Sequence, residues 1–260
     1  MPDPKPLRVV HTSDVHLGAY SASEDAKWND RRELMEHTFT RVIDLANETD
    51  ADALLIAGDF FDNDRVSTET VVFAAEQIAR FRGQTFLVPG NHDPMDEGKI
   101  YWRHDMEAIA RRLHIVRTHA GELVEPEGLD LVLWGRAYID TDWHFKPLEG
   151  LPDKRVDRRW HIAMAHGHFV NEGGEMHRSL LMRESEIAAA SGQWDYMAFG
   201  HWEPHADVSC GGTTAVYSGA PMPLSDANRR AGWAMVVDFD ADGVRWQPHR
   251  VDPRDVPAER

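Results

Sequence analysis

Five apolar stretches of this chain run straight into Asp, Asn or His. LRVVHTSD (7–14) leads to Asp14 and His16, ALLIAG (53–58) to Asp59, TFLVPG (85–90) to Asn91 and His92, WHIAMAH (160–166) to His166, and DYMAFG (195–200) to His201. Longer amphipathic segments separate the first three. Residues 29–47 repeat Met35, Phe39, Val42, Ile43 and Ala46 at helical spacing, and residues 67–82 set Val71, Ala75, Ile78 and Ala79 on one side. Strand, helix, strand, helix, strand implies parallel strands joined by right-handed crossovers, with their C-terminal ends along one sheet edge. A chain built this way brings whatever follows its strands to a single crevice.

The second half is richer in strands, with segments 130–137, 160–166, 195–200, 213–218, 232–238 and 243–250 reading as extended. They imply a second sheet packed on the first. The chain shows no internal repeat, low-complexity segment or linker, so the expectation is one α/β domain over 1–260, ordered over 7–250, with short loose tails.

The residues after the strands form a series: D14-V-H16, G58-D59-F-F-D62, G90-N91-H92-D93, H166-G-H168 and G200-H201-W-E203. Oxygen and imidazole donors gathered without thiolates suit Mn, Fe or Zn. Their number exceeds the needs of one ion, and two metals are the economical reading. Gly58, Gly90 and Gly200 each precede a candidate ligand, where the chain must turn sharply and let its backbone come close.

Composition narrows the function classes. A net charge of −16 repels polyanions, which weakens unaided tight DNA binding but not recognition of a small phosphate ester. Cys210 is the only cysteine, which excludes a disulfide framework or a cysteine-based zinc site within one chain and suits a reducing compartment. The opening MPDPKPLRVV lacks a signal-peptide h-region, and no stretch approaches the apolar length of a membrane span, so a cytoplasmic location is expected. Isolated histidines such as His37, His119 and His249 read as surface side chains.

Taken in order, DVH, GDFFD, GNHD, HGH and GHWE resemble the signature of the calcineurin-like metallophosphoesterases. HTSDVHLG, LIAGDFFD, LVPGNHD, DYMAFGHW and YSGAP (217–221) are most similar to the nuclease branch typified by the Mre11 and SbcD DNA-repair exonucleases. The similarity covers roughly residues 7 to 225. It implies a four-layer α/β/β/α sandwich with a dinuclear metal site at the C-terminal edge of the strands. It further implies that Asp14 and His16 bind a first metal, that Asp59 bridges both, and that Asn91, His166 and His201 complete the second. His168 is the alternative to His166. His92 would contact the phosphate and assist the leaving group, with Asp62 resembling the acid that orients it.

The chain departs from that family at residue 203, where a second histidine of the last motif would bind the first metal and Glu203 stands instead. Three readings stay open: Glu203 ligates directly, His205 reaches in after Pro204 bends the chain, or neither binds. Mn is the expected metal, with Fe, Zn or Mg as alternatives.

The leading functional expectation is a metal-dependent phosphodiesterase or phosphomonoesterase acting on a small or nucleotide-like ester through a two-metal-activated hydroxide. An SbcD/Mre11-like exonuclease is the alternative. Against it, those nucleases carry further DNA-capping and partner-binding regions, and this chain ends soon after its last motif. A non-catalytic metal-binding scaffold is a third reading, disfavoured by the presence of both His92 and Asp62. DKRVDRRW (153–160), with Lys154, Arg155, Arg158 and Arg159, could touch a nucleic-acid backbone but reads first as a solvated loop. Trp28, Phe61, Tyr101, Trp102 and Trp202 are candidates to stack on a substrate ring, Tyr101 and Trp102 foremost because they follow the GNHD loop.

Overall fold

The structure is a computed structural model that describes residues 4–19, 26–153, 157, 159–174, 180–225 and 230–254. Lys154, Arg155 and Arg158 of the basic stretch, and the side chain of Trp28, lie outside the described residues. In chain order the strands are β1 (Leu7–Thr12), β2 (Ala53–Ala57), β3 (Gln84–Val88), β4 (Leu113–Ile115), β5 (Glu122–Val124), β6 (Leu131–Gly135), β7 (Trp160–His166), β8 (His168–Val170), β9 (Leu181–Arg183), β10 (Tyr196–Gly200), β11 (Ala206–Asp207), β12 (Thr214–Tyr217), β13 (Trp233–Asp240) and β14 (Gly243–Arg250). The helices are α1 (Ala26–Glu48), α2 (Thr68–Arg80), the single turns α3 (Ile100–Arg103) and α4 (Met106–Ile109), and α5 (Glu184–Ala189). Among the described residues no helix is long and apolar enough to cross a membrane.

Two six-stranded sheets result, ordered β14-β13-β1-β2-β3-β4 and β11-β12-β10-β7-β6-β5. The run β1 to β4 is parallel, as is β12-β10-β7-β6. One expectation needs correcting. The last two strands do not extend the second sheet; β13 lies antiparallel to β1 and carries β14 on its far side. The reason is burial: Ala234, Met235, Val236, Val237 and Phe239 are all buried, and β1 offers an edge that no crossover strand occupies.

Strand alternation assigns each face of the second sheet. Tyr196 and Ala198 of β10 and Ile162 and Met164 of β7 enter the core shared with β1, β2 and β3, which α1 and α2 cover on the outside with Phe39, Val42, Ile43, Val71 and Ile78. Met197, Phe199, Ala163 and Ala165 face the other way, into a smaller cluster closed by Ile187 of α5 with Met182 and Trp194. Helix, sheet, sheet and helix are the four layers.

Polar ties cross between the sheets near the strand ends. The His11 ring meets Tyr196 Oη at 2.9 Å and Ser13 Oγ meets Ser218 Oγ at 2.9 Å, all buried. Burial drives the His11 pKa down to about 3, so this ring stays neutral in the core. At the same edge a Cβ on Gly200 would stand 1.9 Å from the Ala57 carbonyl oxygen and 2.7 Å from Ser13 Cβ. Only glycine lets the end of β10 approach β2 and β1 this closely, which places His201 beside Asp14. Gly200→Ala is expected to cost about 1–3 kcal/mol through overpacking against main chain. Urea unfolding would show a lowered midpoint at unchanged m; an unmoved midpoint contradicts the close approach.

Candidate metal centre

Three site loops, those after β1, β2 and β10, leave their strands through a costly backbone conformation. Asp14, His16, Asp59 and His201 have φ of 53°, 51°, 50° and 107°, a region that non-glycine residues rarely adopt. Such residues cost on the order of 1–3 kcal/mol each and persist only where surrounding contacts over-determine them. Here the loops after β1 and β2 hold each other: the N–H groups of Asp14, His16 and Leu17 donate to the carbonyls of Gly58, Asp59 and Phe60 at 3.0, 3.1 and 3.0 Å. Parallel strands end in register, and their loops zip together.

His166 stands at the centre of the better-formed group. Its Nδ1 lies 2.9 Å from the Ala57 carbonyl oxygen, which only accepts, so Nδ1 carries the proton and the Nε2 lone pair of the neutral ring points into the site. Around Nε2 stand Asn91 Oδ1 at 3.1 Å, Asp59 Oδ2 at 3.2 Å and His201 Nδ1 at 3.3 Å. Four lone-pair groups converge with no permanent donor between them, an arrangement that calls for a cation. The electrostatics agree. Burial works against charge on His166, yet Asp59, by charge and hydrogen bond, and Asp14 raise its pKa to about 9. Burial, then His166, lowers that of His201 to about 3. Asp59 ionises below the usual carboxylate range: burial opposes this, and the charge and hydrogen bond of His166 overcome it.

A second group shares Asp59 with His16 and His92, their ligand atoms lying within 4.8 Å of one another. It is looser and more open. His16 Nε2 is 4.0 Å from Asp59 Oδ2, and His16 Nδ1, 3.7 Å from Asp62 Oδ1, is buried without a hydrogen-bond partner. His92 is exposed, its ring edge-on to His16 at 4.7 Å between centroids. The Asp62 main-chain carbonyl, rather than its carboxylate, accepts from His92 Nδ1 at 2.6 Å, and the His92 N–H donates to Asp59 Oδ1 at 2.9 Å.

Other candidates fall outside these two groups. Asp14 is buried beside them with its carboxylate accepting the His201 main-chain N–H at 2.9 and 3.2 Å. Glu203 Oε1 accepts the Leu224 N–H at 3.3 Å. The His205 ring packs against Trp233 and Trp246, at 5.6 and 6.5 Å between centroids. His168 Nδ1 accepts the indole N–H of Trp202 at 3.0 Å, and Trp202 stacks on Tyr217 at 4.4 Å. Of the aromatic candidates, Phe61 and Tyr101 are buried in the core, whereas Trp102 is 58% exposed with its indole N–H fixed on the Met95 carbonyl at 2.8 Å. Of the isolated histidines, His37 is exposed, while His119 and His249 are half-buried, His119 within 3.3 Å of an Asp142 carboxylate oxygen.

Asp93 is the residue that sequence reasoning passed over. It is fully buried and accepts four hydrogen bonds: from Gly90 N at 2.7 Å, Phe60 N at 2.8 Å, Phe61 N at 3.1 Å and Tyr101 Oη at 2.6 Å. This carboxylate ties the loop after β2 to the loop after β3. Burial, then the nearby Asp59, raises its pKa to about 7. Its position after His92 was the available signal, since a third polar side chain in succession, once buried, needs a partner. Asp93→Asn replaces one acceptor oxygen with a donor and is expected to lose about 1–3 kcal/mol. A thermal or urea midpoint equal to wild type would show that Asp93 does not hold the loops.

The family model described as Calcineurin-like phosphoesterase matches residues 7–202. The DNA double-strand break repair protein Mre11 of Methanopyrus kandleri is 24% identical over 261 residues, covering 92% of this chain and 55% of that protein. The Mre11 of Haloferax volcanii is 26% identical over 243 residues, covering 91% and 50%. The chain therefore spans about half the length of these relatives. Among solved structures, TT1561 of Thermus thermophilus aligns with a TM-score of 0.59 at 14% identity, over 95% of this chain and 100% of that one, a likeness of fold.

Proposed function

The chain belongs to the calcineurin-like phosphoesterase family, and from that premise we propose that it hydrolyses small or nucleotide-like phosphate esters with two divalent ions. The observation that carries the proposal is the convergence of Asp59, Asn91, His166 and His201 on one point, with Asp59 shared by His16 and His92. Asp59, Asn91, His166 and His201 would hold one ion, and Asp14, His16 and Asp59 the other. The donor set of imidazole, carboxylate and amide oxygen suits Mn²⁺, with Fe, Zn or Mg as alternatives. When bound, such ions supply Lewis-acid stabilisation of the phosphate and a water of lowered pKa.

The chain's own residues supply the rest. His92 reaches solvent from a ring fixed at Nδ1 by the Asp62 carbonyl, so it can donate to a leaving oxygen only from Nε2 of the imidazolium form. The Asp62 carbonyl and the edge of His16 hold that ring in place. Substrate size is argued from charge. Among the described residues Lys99 Nζ lies between Asp64 and Asp140 at 3.1 and 3.5 Å, so this cation is already paired, and Arg103 donates to the Asp64 carbonyl. With a net charge of −16, this rim offers little to a long polyanion and more to a single phosphate carrying a ring that Trp102 could meet. The single Cys210 supports a reducing compartment, the cytoplasm.

A DNA exonuclease is the second reading, supported by what the two Mre11 relatives are called. Binding of single-stranded or nicked DNA that falls steeply with salt would favour it. The test of the main reading is hydrolysis of bis(p-nitrophenyl) phosphate with Mn²⁺, wild type against His92→Ala. The variant is expected to keep its metal and lose about 10²–10⁴-fold in turnover. A folded, metal-loaded wild type without turnover on this diester or on p-nitrophenyl phosphate would refute it.

A further inference from the structure

The two halves of the metal centre are not built alike, and on the two-metal reading above we infer that they bind ions with unequal affinity: a tight ion at Asp59, Asn91, His166 and His201, and a weak, exchangeable one at Asp14, His16 and Asp59. At the first position three ligand groups already stand within 3.3 Å of a fourth, His166 Nε2, whose ring is fixed from behind by the Ala57 carbonyl. Ligands held in place before the ion arrives lose little freedom on binding it.

At the second position the donors are fewer and partly engaged. His16 Nε2 stands 4.0 Å from the shared Asp59 oxygen, and both Asp14 oxygens accept the His201 N–H. The third member of the group, His92, is exposed, with its Nδ1 committed to the Asp62 carbonyl. Further donors do not close the gap. Glu203 Oε1 accepts the Leu224 N–H and the Glu203 carbonyl accepts the Ala220 N–H, tying the 219–224 turn to the loop after β10. His205 packs on Trp233 and Trp246. The glutamate inside GHWEPH is thus a turn-holding residue, and the weaker position keeps more of its coordination open to water or substrate oxygen.

Equilibrium dialysis of Mn²⁺ against the chelator-stripped full chain tests this, with the Mn²⁺ electron paramagnetic resonance signal followed at one and two equivalents. The first ion is expected to bind at least about tenfold more tightly than the second. His201→Ala should remove the tight ion and His16→Ala only the weak one. Glu203→Gln, whose amide oxygen can still accept from Leu224, should leave both affinities unchanged. Two ions of equal affinity, or loss of one ion in Glu203→Gln, overturns the inference while leaving the two-metal reading intact. A stoichiometry that never exceeds one ion overturns the two-metal reading itself.

Discussion

The contact between Asp59 and His166 is the interaction on which the rest of this structure depends. A buried carboxylate and a buried imidazole 3.2 Å apart, at the ends of strands from different sheets, join the two layers at the edge where both must stay open. Removing either partner would leave the other buried and uncompensated, which is far more costly than removing both. The pair also sets the protonation pattern of the centre. Asp59 draws positive charge onto His166, and burial, then His166, disfavours charge on His201.

Holding that pair requires backbone strain, and the fold offsets it locally. Asp14, His16, Asp59 and His201 all sit at positive φ, yet the N–H groups around the first three are satisfied between neighbouring loops, and the His201 N–H is taken by Asp14. Asp93 extends the same logic one layer back, collecting three main-chain N–H groups and a phenol that would otherwise be buried unpaired. The ligands are therefore oriented by main-chain hydrogen bonds more than by side-chain packing. Sub-ångström shifts at these loops would misplace several donors together.

Much of this was legible in the sequence, for a physical reason. The long helices have a clear period and the strands before the candidate residues are continuous apolar runs, and parallel crossovers bring the strands' C-terminal ends together, so the meeting of Asp14, Asp59, Asn91, His166 and His201 at one edge was expected from the sequence. What escaped has equally definite causes. β4, β5, β8, β9 and β11 are two or three residues long, too short to show a period. The return of β13 to the first sheet depends on which edge remains vacant, a property of the assembled sheet. The roles of Glu203 and Asp93 depend on where a side chain points after a sharp turn, and spacing does not carry that information. His168, the alternative to His166 in the sequence, accepts an indole N–H at Nδ1, a contact that spacing does not carry either.

The rim adds a constraint that the centre alone does not. Asp96 accepts the Asp140 N–H at 2.6 Å and the Thr141 hydroxyl at 3.0 Å, and Lys99 bridges Asp64 and Asp140, so the loops after β2, β3 and β6 are stapled to one another around the opening. The Lys99 staple consumes a cation that could have met a phosphate. A site that must grip a nucleic-acid backbone leaves cations unpaired along a track, because release of counterions by those cations supplies most of the affinity. Over the chain carboxylates outnumber cations, 44 to 28, and the freest large apolar groups among the described residues are Trp143 and Trp102. On the proposed reading, recognition would rest on ring contact and on the metals, with little electrostatic capture of a polymer.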